Sequence, residues 1–199
     1  MPGTGSRERS ALIDLTAAFE RVVSALEDAD LPYVVVGSVA AAAWGVARTT
    51  RDVDLVAAIG PADVEAVLGS LDGDELYVNS GDARRAAIDG GSFNVIHPAS
   101  GGKVDVFVMP PDDPFTRARL ARRLRATVLG VETWVDTAEN VVLAKLSWRL
   151  QSRSETQWRD CVEIAAIEEL DRGYMAEWAP SLGVSEDLAE LFTLIDDIV

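Results

Sequence analysis

Three short stretches of the sequence carry residue types and spacings suited to handling a charged phosphate. The first is Asp52-Val-Asp54. Side chains two apart on a strand project from one face, so both carboxylates would stand together while Val53 and Leu55 turn to a core. Carboxylates that close repel unless something positive sits between them. A hard divalent ion does so, and Mg2+ is typically held by one or two carboxylates together with substrate phosphates. The second stretch is Gly37-Ser38, between a β-branched run and a helix start. Glycine lets a ligand approach the backbone, N–H groups at a helix start attract phosphate, and the Ser38 hydroxyl can donate to a phosphate oxygen. The third is Lys103-Val-Asp105-Val-Phe-Val108, which sets an acid among apolar neighbours, where it needs a partner or a metal. Each stretch also has a plain reading: a structural turn, a surface pair, and an acid bonded to backbone or to an arginine.

The elements that would position these residues can be read from periodicity. Leu12, Leu15, Phe19, Val22, Val23 and Leu26 recur at helical spacing, which predicts a helix over Ser10 to Asp30 that Pro32 ends. Tyr33–Val36 reads as a strand buried on both faces, and Val39–Ala47 as an alanine-rich helix. Arg51–Ile59 is a second strand, and Gly60-Pro61 starts a helix carrying Val64, Val67, Leu68 and Leu71. Further strands are predicted at Leu76–Asn79, Phe93–His97 and Lys103–Met109, with a hairpin turn at Ser100-Gly-Gly. Pro110 to Pro114 is a rigid break holding Asp112 and Asp113 in a solvated loop. Val128–Leu129 and Val131–Val135 around Gly130 read as a hairpin or an edge pairing. From Thr137, a helix cap, the pattern is helical to the end, and Ser154 with Gln157 reads as a capping box. The expected fold is α+β: a mixed β-sheet core over residues 1–135 flanked by helices, and a C-terminal helical subdomain over 136–199.

Composition bounds the partners. The 199 residues are 48% hydrophobic, enough for a full core, and 26% charged. No apolar run approaches the ~20 residues of a membrane span, and the opening stretch lacks the apolar segment of a secretory signal. One cysteine, Cys161, excludes an internal disulfide framework and reads as a small core residue. The expected location is therefore cytoplasmic. The net charge of −15 opposes indiscriminate coating of nucleic acid or anionic membrane. Five of 16 arginines nevertheless fall within nine residues: Arg117, Arg119, Arg122, Arg123 and Arg125. They suit one anionic ligand, or else form a solvated helix face. His97 reads as a turn residue, and Trp134, Trp148, Trp158 and Trp178 as packing anchors of the helical part.

Taken together, Gly37-Ser38, Asp52/Asp54 after thirteen intervening residues (Val39 to Arg51) and Asp105 resemble the nucleotidyltransferase superfamily of polymerase-β type, over about Tyr33 to Met109. The resemblance implies a mixed-sheet nucleotidyltransferase core. It also implies transfer of a nucleoside monophosphate from an NTP, ATP among them, to an acceptor hydroxyl, with release of pyrophosphate. Asp52, Asp54 and Asp105 would be the catalytic and metal-binding acids, holding Mg2+ or Mn2+. Gly37 and Ser38 would cradle the phosphates, and Arg48 would neutralise developing charge. Lys145, in Val-Leu-Ala-Lys-Leu-Ser-Trp-Arg, and Asp160, in Gln-Trp-Arg-Asp, are similar to the helical motifs of the AbiEii-like toxin group and of related bacterial nucleotidyltransferases. That second likeness implies Lys145 on the triphosphate and Asp160 as an orienting acid.

Three functions follow as expectations. A toxin acting on RNA, such as tRNA, would clamp its acceptor with the Arg117–Arg125 cluster and would pair with a cognate antitoxin protein. An enzyme of the aminoglycoside nucleotidyltransferase kind would take a small-molecule acceptor, and the acidic balance draws a cationic one. A nucleotidyltransferase-like antitoxin or regulator would bind a protein partner without catalysis; the complete set of acids argues against it. No membrane partner is expected.

Overall fold

β-branched and aromatic residues fill the centre of the molecule with strands. The computed structural model describes residues 4–46, 52–110 and 112–198. Among the described residues one seven-stranded sheet holds β1 (Tyr33–Val36), β2 (Asp52–Ala57), β3 (Tyr77–Val78), β4 (Gly91–His97), β5 (Gly102–Val108), β6 (Leu124–Val128) and β7 (Val131–Val135). Their order is β3-β4-β5-β2-β1-β7-β6. The β1 strand lies between an antiparallel β2 and a parallel β7, and all four of its residues are buried, as the apolar run predicts. The β2 and β5 strands run parallel and in register, Asp52 beside Lys103 and Asp54 beside Asp105.

Alternation along β2 and β5 sorts their side chains. Val53, Leu55, Val104 and Val106 join the main core, covered by α1 (Thr4–Asp28), α3 (Val64–Leu71) and α4 (Ser80–Asp89). The opposite face carries the polar residues, then a smaller cluster of Val34, Val36 and Val56 closed by Leu120 of α5 (Pro114–Arg122). The α2 helix (Gly37–Ala43) leaves the end of β1 and packs on α6 (Ala138–Ser152). Helices α7 (Glu155–Ile167), α8 (Arg172–Leu182) and α9 (Ser185–Ile198) pack with α6 into the same continuous core as the sheet. The result is the expected α+β architecture. No helix among the described residues is long and apolar enough to cross a membrane.

Several expectations need correction. The α4 helix is absent from the sequence reading because its buried face is only Ala83, Ala86 and Ala87; its start is marked by Asn79, whose side chain accepts from the N–H groups of Gly81 and Asp82. Asp113 is no solvated loop residue but the cap of α5, accepting from Thr116 N at 2.7 Å. Leu129 and Gly130 both take positive φ, the turn that closes the predicted hairpin. One strand of that hairpin, β7, is interior, not an edge. Ser154 does cap α7 by position, yet makes no side-chain capping bond, and the reciprocal half of the box is missing as well, because the Gln157 side chain turns to Lys145. Trp148 is 55% exposed and anchors no core. Trp134, Trp158 and Trp178 do pack against the core.

Candidate active site

The end of β1 and the start of β2 meet because the two strands are antiparallel, with Val36 opposite Asp54. At Gly37 the chain turns out of β1 into α2 with φ +66°. A Cβ there would lie 2.2 Å from Asp54 Oδ2, so only glycine lets the bend close over the carboxylate. Ser38 follows, half-buried in the first turn of α2.

Parallel pairing of β2 and β5 then brings the acids to one face. Asp54 and Asp105 are register partners, and Asp52 lies two residues before Asp54 on the same side. Burial, first, and the neighbouring charges of Asp105 and Asp52 raise the pKa of Asp54 above its ordinary value; Lys103 and Lys145 pull it the other way. Lys103, on the same face of β5, reaches Asp105 Oδ2 at 2.7 Å and Asp52 Oδ2 at 3.9 Å. Among the described residues no three acidic, histidine or cysteine side chains are gathered at metal-ligand spacing. The chemistry of the site nonetheless fits a hard cation. Its donors are all carboxylate oxygens, and the charge crowding that raises Asp54 is what a divalent ion would relieve.

Lys145 enters from α6. It is 5% exposed, and its ammonium donates to Asp160 Oδ2 at 2.8 Å and to Gln157 Oε1 at 3.1 Å, both on α7. These partners satisfy the ammonium in its buried position, and its charge acts on Asp54. Gly37, Asp52, Asp54, Asp105 and Lys145 thus converge. Asp160 is fully buried and paired with Lys145. Arg48 lies outside the described residues.

Two groups escaped the sequence reading. Lys103 was visible only as the first residue of a strand, although alternation sets it on the face of Asp105. Asp136, at the end of β7, is fully buried and paired with Arg119 of α5, whose Nε donates to Oδ2 at 2.5 Å. Burial pushes the Asp136 carboxyl up while Arg119, Asn140 and the Thr137 N–H hold it down. Its backbone N–H donates to Val35 O, and its carbonyl accepts from Trp44 Nε1 at 2.9 Å, so it joins β7, α5 and the end of α2.

Three further arginines of the cluster are engaged by side chains from elsewhere in the chain. Arg122 lies 4.1 Å from the centre of the Tyr174 ring and 3.6 Å from Asp171. Arg123 and Arg125 flank the Trp134 ring at 4.6 and 5.0 Å, and Arg125 also pairs with Glu27 at 2.8 Å. Arg117 is exposed. His97 is the last residue of β4, paired with Gly102, not the turn residue expected, and its Nδ1 lies 2.9 Å from Ser100 Oγ across the turn. Cys161 is buried, which pushes its thiol up to about 12.

No protein-family model matches the chain, and no curated protein matches its sequence. Solved structures do match. A nucleotidyltransferase-like antigenic protein from Paracoccidioides brasiliensis superposes with a TM-score of 0.62 at 16% identity, over 93% of this chain and 90% of its own. The solution structure of the antibiotic-resistance factor ANT(2'')-Ia gives a TM-score of 0.52 at 13% identity, over 92% and 95%. At such identities the likeness is one of fold: the chain has the fold of these nucleotidyltransferase structures along nearly its whole length.

Proposed function

We propose that the protein transfers a nucleoside monophosphate from an NTP to an acceptor hydroxyl. One observation carries the reading: Asp54 lies under the Gly37 bend, in register with Asp105 and beside Asp52. The fold shared with nucleotidyltransferase structures supports it as analogy.

In this reading the backbone at Gly37 and the Ser38 hydroxyl receive the β- and γ-phosphates. Asp52, Asp54 and Asp105 would hold Mg2+ or Mn2+, which supplies charge neutralisation at the phosphates and lowers the pKa of the acceptor hydroxyl. The acceptor oxygen attacks the α-phosphorus in line as the bond to the β-phosphate bridging oxygen breaks, and pyrophosphate leaves. Asp105, in register with Asp54 on the neighbouring strand, serves the acceptor side, either by holding the cation there or by accepting the hydroxyl proton itself. Lys145 uses two of its three N–H donors on Asp160 and Gln157, leaving a third to meet charge developing on the phosphates. Arg48 is assigned the same task.

The acceptor is best read as a small, cationic molecule. The chain is strongly acidic, and Arg119, Arg122, Arg123 and Arg125 are spent on internal partners instead of forming an open phosphate clamp. One structural neighbour is an antibiotic-resistance factor, which agrees with that choice. An AbiEii-like toxin acting on tRNA, with its antitoxin, is the rival within the same chemistry. Incubation with α-labelled NTPs and Mg2+ against aminoglycoside, tRNA and protein pools tests both. Label on a small molecule, with modest dependence on salt, is expected. Label on tRNA with steep loss at high salt would reassign the acceptor. Absence of label and of pyrophosphate in every pool would refute the transfer reading.

A further inference from the structure

We propose that Lys103 is a built-in counter-cation of the three carboxylates, occupying in the metal-free protein the place that a divalent cation takes on binding. This inference rests on the metal-assisted reading above.

The geometry carries it. Lys103 and Asp105 share one face of β5, and Asp52 stands directly across the strand pair from Lys103. The ammonium is 2.7 Å from Asp105 Oδ2 and 3.9 Å from Asp52 Oδ2, so it stands between two of the three acids. A cation bridging those acids needs the same oxygens. A divalent ion and an ammonium within a few ångströms repel strongly, so one must leave. Lys103 is the one free to do so. Its side chain is 32% exposed and sits on a flexible four-carbon stem, whereas Lys145 is buried at 5% and held by α7. A displaceable counter-ion keeps them folded together without metal and sets a threshold for metal loading.

Calorimetric titration with Mn2+ alone tests this on the full chain, its K103M variant and its K103R variant. K103M is expected to bind Mn2+ roughly tenfold tighter or more, since a competing charge is removed. Its metal-free form should melt lower, and K103R should bind no tighter than the parent. Equal or weaker binding by K103M overturns the inference while leaving the metal site standing. Absence of Mn2+ binding by every form overturns both. The unmodified protein gives an independent measure, because Lys103 and Lys145 are its only two lysines. Reductive methylation of Lys103, read by mass spectrometry against Lys145, should accelerate several-fold when Mn2+ is added. An unchanged or slower rate contradicts displacement. Loss of NMP transfer with these metal responses intact would count against the proposed reaction, not against the counter-ion.

Discussion

Substituting Gly37 by alanine probes the link between the bend and the acids. The new Cβ would lie 2.2 Å from Asp54 Oδ2 and 3.0 Å from its Cγ. An ordinary contact needs the carboxylate to retreat by about 1 Å, out of its rotamer well, at roughly 0.5–1.5 kcal/mol. The backbone at φ +66° adds about 1–2 kcal/mol for any residue with a Cβ. The sum, about 1.5–3.5 kcal/mol, should lower the melting temperature by roughly 3–14 °C for a chain of this size. The effect on transfer should be larger, since a displacement of about 1 Å in a reacting group costs on the order of 100-fold. Thermal melts of the wild type, G37A, D54A and the double variant separate the two contributions. In the D54A background the carboxylate clash is gone and the penalty of G37A should shrink by about 1 kcal/mol, a coupling expected only of residues in contact. Full additivity, or G37A transferring within threefold of the wild type, would refute the reasoning.

Removal of charge at Asp54 has a defined sign. Its pKa is raised in the folded protein, so stability from this group is greatest below its ordinary value near 3.8 and is lost as pH rises through the raised value. D54N should therefore melt no lower than the wild type at neutral pH without metal, while losing Mn2+-dependent stabilisation; a clear destabilisation would contradict the charge-crowding account. R119M leaves Asp136 buried without its cation and should cost about 3–5 kcal/mol in urea denaturation at pH 7. Part of that loss should return at low pH as Asp136 takes up a proton. K145Q should likewise destabilise by leaving Asp160 buried beside a neutral group. Adding D160N should restore stability but not transfer, and restored transfer would make the Lys145 pair purely structural.

What the sequence disclosed follows from how local each signal is. The strands β1, β2 and β5 and the shared face of Asp52 and Asp54 depend on alternation over a few residues, and the structure has them as read. The juxtaposition of Asp54 with Asp105 depends on parallel pairing across 51 positions, which the family resemblance implied and spacing alone does not. Lys103 was passed over because its importance lies in which carboxylate its long side chain chooses. The arginine cluster misled for the opposite reason. Five close arginines suggest a surface, but Trp134, Tyr174 and Asp136, from later in the chain, return to take most of them inward. The α4 helix shows the same limit, since three alanines on a polar helix give little hydrophobic periodicity. Arg48 lies outside the described residues, and its assignment rests on the resemblance.

In the proposed reaction the three carboxylates and the Gly37 bend form one site for a metal-bound triphosphate. A crystal structure of the protein with Mn2+ and a non-hydrolysable NTP tests it most directly. Anomalous density for Mn2+ between Asp52, Asp54 and the phosphates, with the β- and γ-phosphates against Gly37 and Ser38, is the expected result. A nucleotide bound elsewhere, or bound with no metal near Asp52 and Asp54, would contradict the account.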